Sequence, residues 1–141
     1  LSAEVKLYEL KNGNNMSLKA ASTLMANIMN GRRYMPFWVQ LLLGGIDSKG
    51  GHVYSLDAAG GSIPDNFQTT GSGSPFVYGV LEDRFKENMS IKEGKELGVR
   101  ALTAAMKRDS ASGDGISMCV IDSEGYHPVS FKEIEKIQAN L

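Results

Sequence analysis

The sequence predicts an α+β fold in which helical layers cover β-sheets. The expected elements run two helices, three strands, two helices, two strands and one helix. Runs of helices that alternate with hairpins do not build a doubly wound parallel sheet. The nearly continuous apolar run Trp38–Leu43 reads as a central strand covered on both faces. Five strands with helices on one side would leave that run half bare. A second sheet is therefore expected, and a helix–sheet–sheet–helix sandwich follows. Finally, two polar loops beside helix ends, Thr69–Pro75 and Arg108–Gly113, are expected to face one site.

Bulk properties narrow the function classes. A chain of 141 residues is one domain by length, able to bury roughly two-thirds of its unfolded surface. Its 42% hydrophobic and 22% charged residues are ordinary for a soluble globular protein. A net charge of -1 offers no electrostatic reason to expect nucleic acid or an anionic membrane as partner. One cysteine, Cys119, excludes an intrachain disulfide and fits a reducing compartment. No apolar run reaches membrane-spanning length and no signal-peptide pattern opens the chain, so the cytoplasm is the expected compartment.

The first helix spans Leu1 to Leu10, with Leu1, Val5 and Tyr8 on one face. It starts without a capping residue, as a chain entering mid-domain would. After the polar break Lys11–Asn15, Ser17 caps a second helix. Its stripe is Leu18, Ala21, Met25 and Ile28, and Asn30-Gly31 stops it. The short break predicts antiparallel neighbours. Met25 and Met29 read as core filling.

After the central strand, Gly44-Gly45 and the turn Asp47–Gly51 lead to a second strand, His52–Asp57. His52 lacks a cysteine or acidic partner at metal-ligand spacing and reads as an exposed strand-start residue. Ala58–Ser62 is small enough for close backbone approach, and a third strand covers Asn66–Thr70. Gly71 and Gly73 permit tight turns, Ser74 caps the next helix and Pro75 opens it. That helix carries Phe76, Val77, Val80 and Leu81. Ser90 and Glu93 form a capping box for another helix, whose Gly94 and Gly98 point to close packing. It ends at Lys107-Arg108, suited to the C-terminal dipole. A strand over Ile116–Ile121, with Cys119 in the core, turns at Asp122–Gly125 and returns over Tyr126–Val129. Ser130 and Glu133 make a second capping box before a helix bearing Phe131, Ile134, Ile137 and Leu141.

Nucleotide-binding P-loop, dinucleotide, HExxH and CxxC motifs are all missing. The Gly71–Ser74 loop opens a helix and could bind an anion, although no lysine adjoins it. What remains is Ser72 on one loop with Asp109 and Ser112 on the other. Such residues after a helix build local Asx-turns. Beside an arginine they can also orient a proton-carrying group in a nucleophilic site, though the spacing favours the local turn. Spacing alone leaves both readings open.

Six motifs then occur in an order that resembles proteasome β subunits of the archaeal type: Tyr34-Met35-Pro36, Gly44-Gly45-Ile46-Asp47, Asp57–Gly61, Thr70–Ser74, Phe76–Gly79 and Arg108–Gly113. The likeness runs from the first helix to Val120. It implies the four-layer α-β-β-α fold of N-terminal nucleophile hydrolases, here incomplete: residues 1–141 would be the C-terminal two-thirds of one such domain, without its first strands. It also implies a threonine-type endopeptidase that uses neither metal nor cofactor. The nucleophile in that family is an N-terminal threonine, supported by an early aspartate and a lysine. None of the three has a counterpart here, so these 141 residues alone are expected to be inactive. By motif, Ser72, Asp109 and Ser112 are the supporting shell that holds the amino group and water. By position, Asp57 is expected to reach the substrate pocket of a neighbouring subunit.

The implied partners are other β subunits in a seven-membered ring, a proteasome α ring, unfolded protein substrates and, indirectly, a regulatory ATPase. Nucleic acid and membrane are not among them. The alternative is a non-catalytic, structural β-type subunit serving ring assembly. The set Ser72, Asp109 and Ser112 favours the catalytic reading, because assembly has no chemical need of it.

Overall fold

The computed structural model describes residues 2–141 and is mixed α+β. It divides into two compact units, residues 1–68 and 69–141. No helix among the described residues is long and apolar enough to cross a membrane.

The first unit holds α1 (Ser2–Asn12), α2 (Leu18–Asn30), β1 (Leu41–Asp47), β2 (Gly50–Leu56) and β3 (Ser62–Asp65). In α1, charged and apolar side chains are interleaved, none of its residues is buried, and it forms no extensive interface with another element. Leu1, expected on the face of Val5 and Tyr8, lies outside the described residues. Ser17 caps α2 as expected, its hydroxyl accepting the Ala20 N–H at 3.2 Å. The buried face of α2 is Ala21, Ser22, Ala26 and Met29. Ile28, placed inside by the sequence reading, is exposed. Gly31 ends the helix in a right-handed conformation, at φ -59°, so its position and not a left-handed cap makes the stop.

The strand expected over Trp38–Leu43 begins only at Leu41 and continues through Gly44-Gly45 to Asp47. Sheet order is β1-β2-β3, all antiparallel, so β1 is an edge strand and β2 the centre. Trp38 lies outside the sheet and is 96% exposed. The glycines extend the strand because α2 lies against it. A Cβ on Gly45 would stand 2.9 Å from Leu18 Cδ2. At the β1–β2 turn, Asp47 accepts the Lys49 N–H at 2.8 Å and the Leu18 N–H at 3.0 Å. These bonds hold its carboxyl below the usual range, and His52 adds a smaller effect from 3.4 Å. His52 thus has an acidic neighbour after all, across the turn.

The third strand also moves: β3 is Ser62–Asp65, and Asn66–Thr70 is irregular. Gly60 makes the close approach expected of the Ala58–Ser62 stretch. At φ +92°, its Cβ would meet Ala26 O at 2.5 Å.

The second unit holds α3 (Ser74–Arg84), α4 (Ile91–Arg108), β4 (Cys119–Asp122), β5 (Gly125–Pro128) and α5 (Phe131–Ala139). Helices α3 and α4 pack through Val77, Ala101 and Ala105, flanked by Val80 and Leu81. Alanine on α4 brings the two helices close, and that pairing carries the site described below. A second cluster joins α4, the following loop and α5 through Val99, Ile116 and Ile134.

Ser90 and Glu93 form the full capping box: the hydroxyl accepts the Glu93 N–H and the carboxylate accepts the Ser90 N–H at 2.8 Å. Ser90→Ala is expected to destabilise the protein by about 1 kcal/mol, read as a lowered urea midpoint at unchanged slope. The second box is only half made. Ser130 accepts the Glu133 N–H, but the Glu133 carboxylate turns to Lys95 on α4. Of the two interior glycines, Gly98 faces the Met118 methyl while Gly94 faces open space.

The strand expected at Ile116–Ile121 starts at Cys119, and Cys119 is exposed instead of in the core. Alternation along β4 turns Val120 inward and Cys119 outward, and the buried Ile116 reaches the core from the loop. The β4–β5 turn has its glycine at positive φ, with Gly125 at +125°.

Candidate active site

The two polar loops of the second unit meet. The first opens α3. Gly71 takes φ +102°, a conformation that side chains resist, and turns the chain so that Ser72 projects from it. Gly73, not Ser74, is the N-cap residue, and Ser74 and Pro75 are the first helical positions. Gly73 has an ordinary φ of -77°. Its requirement is space: a Cβ there would lie 2.8 Å from Ser112 Oγ and 2.9 Å from Ala105 Cβ.

The second loop closes α4. The Asp109 N–H still bonds to Ala105 O at 2.8 Å, while its ψ of 118° takes the chain out of the helix. The Ala111 N–H reaches Asp109 Oδ1 at 3.3 Å and the Ser112 N–H reaches Asp109 O at 3.1 Å, the local turn that such a sequence builds. The turn does not account for the other carboxylate oxygen. Asp109 Oδ2 accepts the Ser112 hydroxyl at 2.5 Å and the Ser72 hydroxyl, 37 residues away, at 2.7 Å. The three residues singled out in the sequence therefore form one cluster.

These bonds hold the Asp109 carboxyl below its usual range, the Ser112 hydroxyl most and then Ser72; burial opposes them, and the Ala111 N–H adds the least. Each serine has one proton to give, and both go to Asp109. Their outward lone pairs can then only accept. The cluster is an anionic, acceptor-only surface, suited to an ammonium group or a water that donates.

Because the folded carboxyl ionises more readily than the unfolded one, its stabilising effect is complete above the unfolded value of about 3.9. It is lost as pH falls through the lower folded value. The difference in urea midpoint between the protein and its Asp109→Asn variant is expected to shrink as the medium is acidified past that point.

Asp57, in the first unit, is engaged in its own loop. Its Oδ1 accepts the Ala59 N–H at 2.9 Å and the Gly61 N–H at 2.8 Å, setting the β2–β3 connection. Oδ2 is crowded by Gly61, where a Cβ would collide with it. No group of three or more His, Cys, Asp or Glu side chains able to hold a metal occurs among the described residues. Sequence reasoning missed Gly73 as the residue that admits Ser112. The only signal was a second glycine in a loop where one suffices for the turn.

Comparison with known proteins bears on the same residues. Residues 1–121 match the family described as Proteasome subunit. The chain is 49% identical over 142 aligned residues to a proteasome subunit beta of Methanohalophilus mahii, covering all of this chain and 68% of that protein. It is 47% identical to the proteasome subunit beta of Archaeoglobus profundus, with 66% of that protein covered. With the proteasome subunit beta of Methanocorpusculum labreanum it shares 52% identity over 127 residues, 89% of this chain and 60% of that one. The chain thus spans between 60% and 68% of the length of these relatives. With six ordered motifs and these identities in agreement, the chain belongs to the proteasome subunit family and, within it, to the archaeal-type β subunits.

Proposed function

We propose that this protein is a catalytic β subunit of the proteasome core particle, a threonine-type endopeptidase whose nucleophile lies on a segment outside these 141 residues. The observation that carries the reading is the convergence of Ser72 and Ser112 on one oxygen of Asp109. In the reaction, the α-amino group of an N-terminal threonine has a pKa near 7.7–8.0 and takes the proton of that residue's own hydroxyl. The oxygen attacks the peptide carbonyl, the amine half of the substrate leaves with a proton, and the acyl-enzyme is hydrolysed by water. The amino group passes through an ammonium form, with protons to donate. An anionic, acceptor-only cluster favours that form and orients its protons.

The finer architecture belongs to the same proposal: a single domain with a four-layer α-β-β-α sandwich, seven β subunits per ring, an α ring, unfolded substrates, an associated regulatory ATPase and a cytoplasmic location. Asp57 keeps the role of a substrate-pocket residue, held in place by the bonds that fix its loop.

The direct test is intact mass and N-terminal sequencing of the native subunit, together with peptidase assay of the assembled particle. An N-terminal threonine that becomes acylated by a peptide-like electrophile, with loss of turnover, is the expected result. A fully active particle whose β subunit carries no reactive N-terminal threonine would overturn the mechanism. An assembled particle without peptidase activity would leave the structural subunit as the reading.

A further inference from the structure

Away from that cluster, helices α4 and α5 of the second unit enclose a cleft with an unbalanced lining. Lys92, Lys95 and Arg100 of α4 and Lys136 of α5 reach it, against the carboxylates Glu96 and Glu133. Lys95 pairs with Glu133, and Lys92 lies 3.9 Å from Glu96. Arg100 and Lys136 have no carboxylate partner among the described residues. The pairing of Lys95 withdraws Glu133 from the capping box of its own helix, so the cleft is tied together at the expense of a local bond. Beside these charges Ile137 and Leu141 supply apolar surface.

We propose that this cleft binds an extended acidic peptide segment of a partner protein. Two features select that occupant over a compact anion. The cations are spread along the cleft: Lys92 and Arg100 are eight positions apart on one helix, about 12 Å at 1.5 Å per residue. A phosphate would meet one or two of them and the carboxylates between. An extended chain carries same-face side chains every second residue, so carboxylates four residues apart are about 13 Å apart. That spacing matches the cationic one, and an apolar side chain between them meets Ile137. Recognition of this kind is electrostatic and salt-sensitive.

The test is a fluorescence-anisotropy titration of the full-length, assembled protein with a labelled Glu-Ser-Leu-Ser-Glu peptide, which sets two carboxylates four residues apart with a leucine between them on the same face, its integrity checked by mass spectrometry. Saturable binding is expected, at least tenfold tighter than for Gln-Ser-Leu-Ser-Gln and weakened by salt. Arg100→Glu with Lys136→Glu should lower affinity at least tenfold, and Lys107→Glu, on the same helix but outside the cleft, should not. Should charge reversal disturb folding, Arg100→Gln with Lys136→Gln is expected to weaken binding in the same direction. Equal affinity for the two peptides, or binding unaffected by both double variants, would overturn the proposal. Displacement of the peptide by an equal concentration of inorganic phosphate would overturn it too, reassigning the cleft to a compact anion.

Discussion

Asp109→Asn in the full-length subunit is expected to reduce kcat for peptide hydrolysis by at least about 10²-fold while the protein still folds and assembles. The carboxylate accepts on both sides: Oδ2 takes the Ser72 and Ser112 hydroxyls and Oδ1 takes the Ala111 N–H. An amide of the same shape has one acceptor oxygen and one donor nitrogen. Whichever way it turns, either the two hydroxyls or the Ala111 N–H faces a donor. The negative charge that favours an ammonium neighbour is gone as well. Hydroxyls released from Asp109 can rotate and donate outward, so the surface no longer only accepts. Far-UV circular dichroism and particle size should be unchanged, because the buried clusters around Val77 and Val99 do not include Asp109. Undiminished turnover in an assembled Asp109→Asn particle would remove Asp109 from the mechanism.

Gly73→Ala is expected to damage both stability and turnover. The new methyl would stand 2.8 Å from Ser112 Oγ, 2.9 Å from Ala105 Cβ and 3.4 Å from Asp109 Oδ2. Ala105 is 2% exposed and belongs to the cluster that joins α3 to α4, so it has little room to yield. The Ser112 hydroxyl can rotate away only by breaking its bond to Asp109. The remaining response is for the two loops to part, which stretches the Ser72–Asp109 bond. Overpacking of this kind costs about 1–3 kcal/mol, and misplacing a positioned group by about 1 Å can slow catalysis about 10²-fold. Gly79→Ala is the control: it lies on α3 with open space around it, and alanine there should be neutral or stabilise by up to about 1 kcal/mol. Thermal melts and peptidase assays of the two variants separate steric collision from helix propensity. Equal behaviour would show that Gly73 does not hold the loops together.

Much of the local structure was legible because its causes are local. A Ser17, Ser90 or Ser130 ahead of an amphipathic run satisfies orphan N–H groups in any context, and all three cap as expected. Gly125 takes the positive φ that the turn after Asp122 requires. The strand limits were less legible, since pairing and not composition ends a strand. Trp38–Gln40 has the apolar character of a strand but no part in the ladder, while Gly44-Gly45 has the character of a break and sits inside it. Cys119 shows the same limit: residue type suggested burial, and the register of a two-residue hairpin decided exposure.

At the site, the sequence by itself determined which groups are available: two hydroxyls and one carboxylate on loops at the start of one helix and the end of another. It also determined the family, because six ordered motifs are a pattern that short-range propensity does not produce. Whether those residues build separate local turns or one cluster was left to the tertiary structure. That outcome depends on how closely α3 and α4 approach, which is set by Ala101 and Ala105 at their interface and by the missing side chain of Gly73. A distance of 2.7 Å between residues 37 apart is a property of packed helices, and no local preference encodes it.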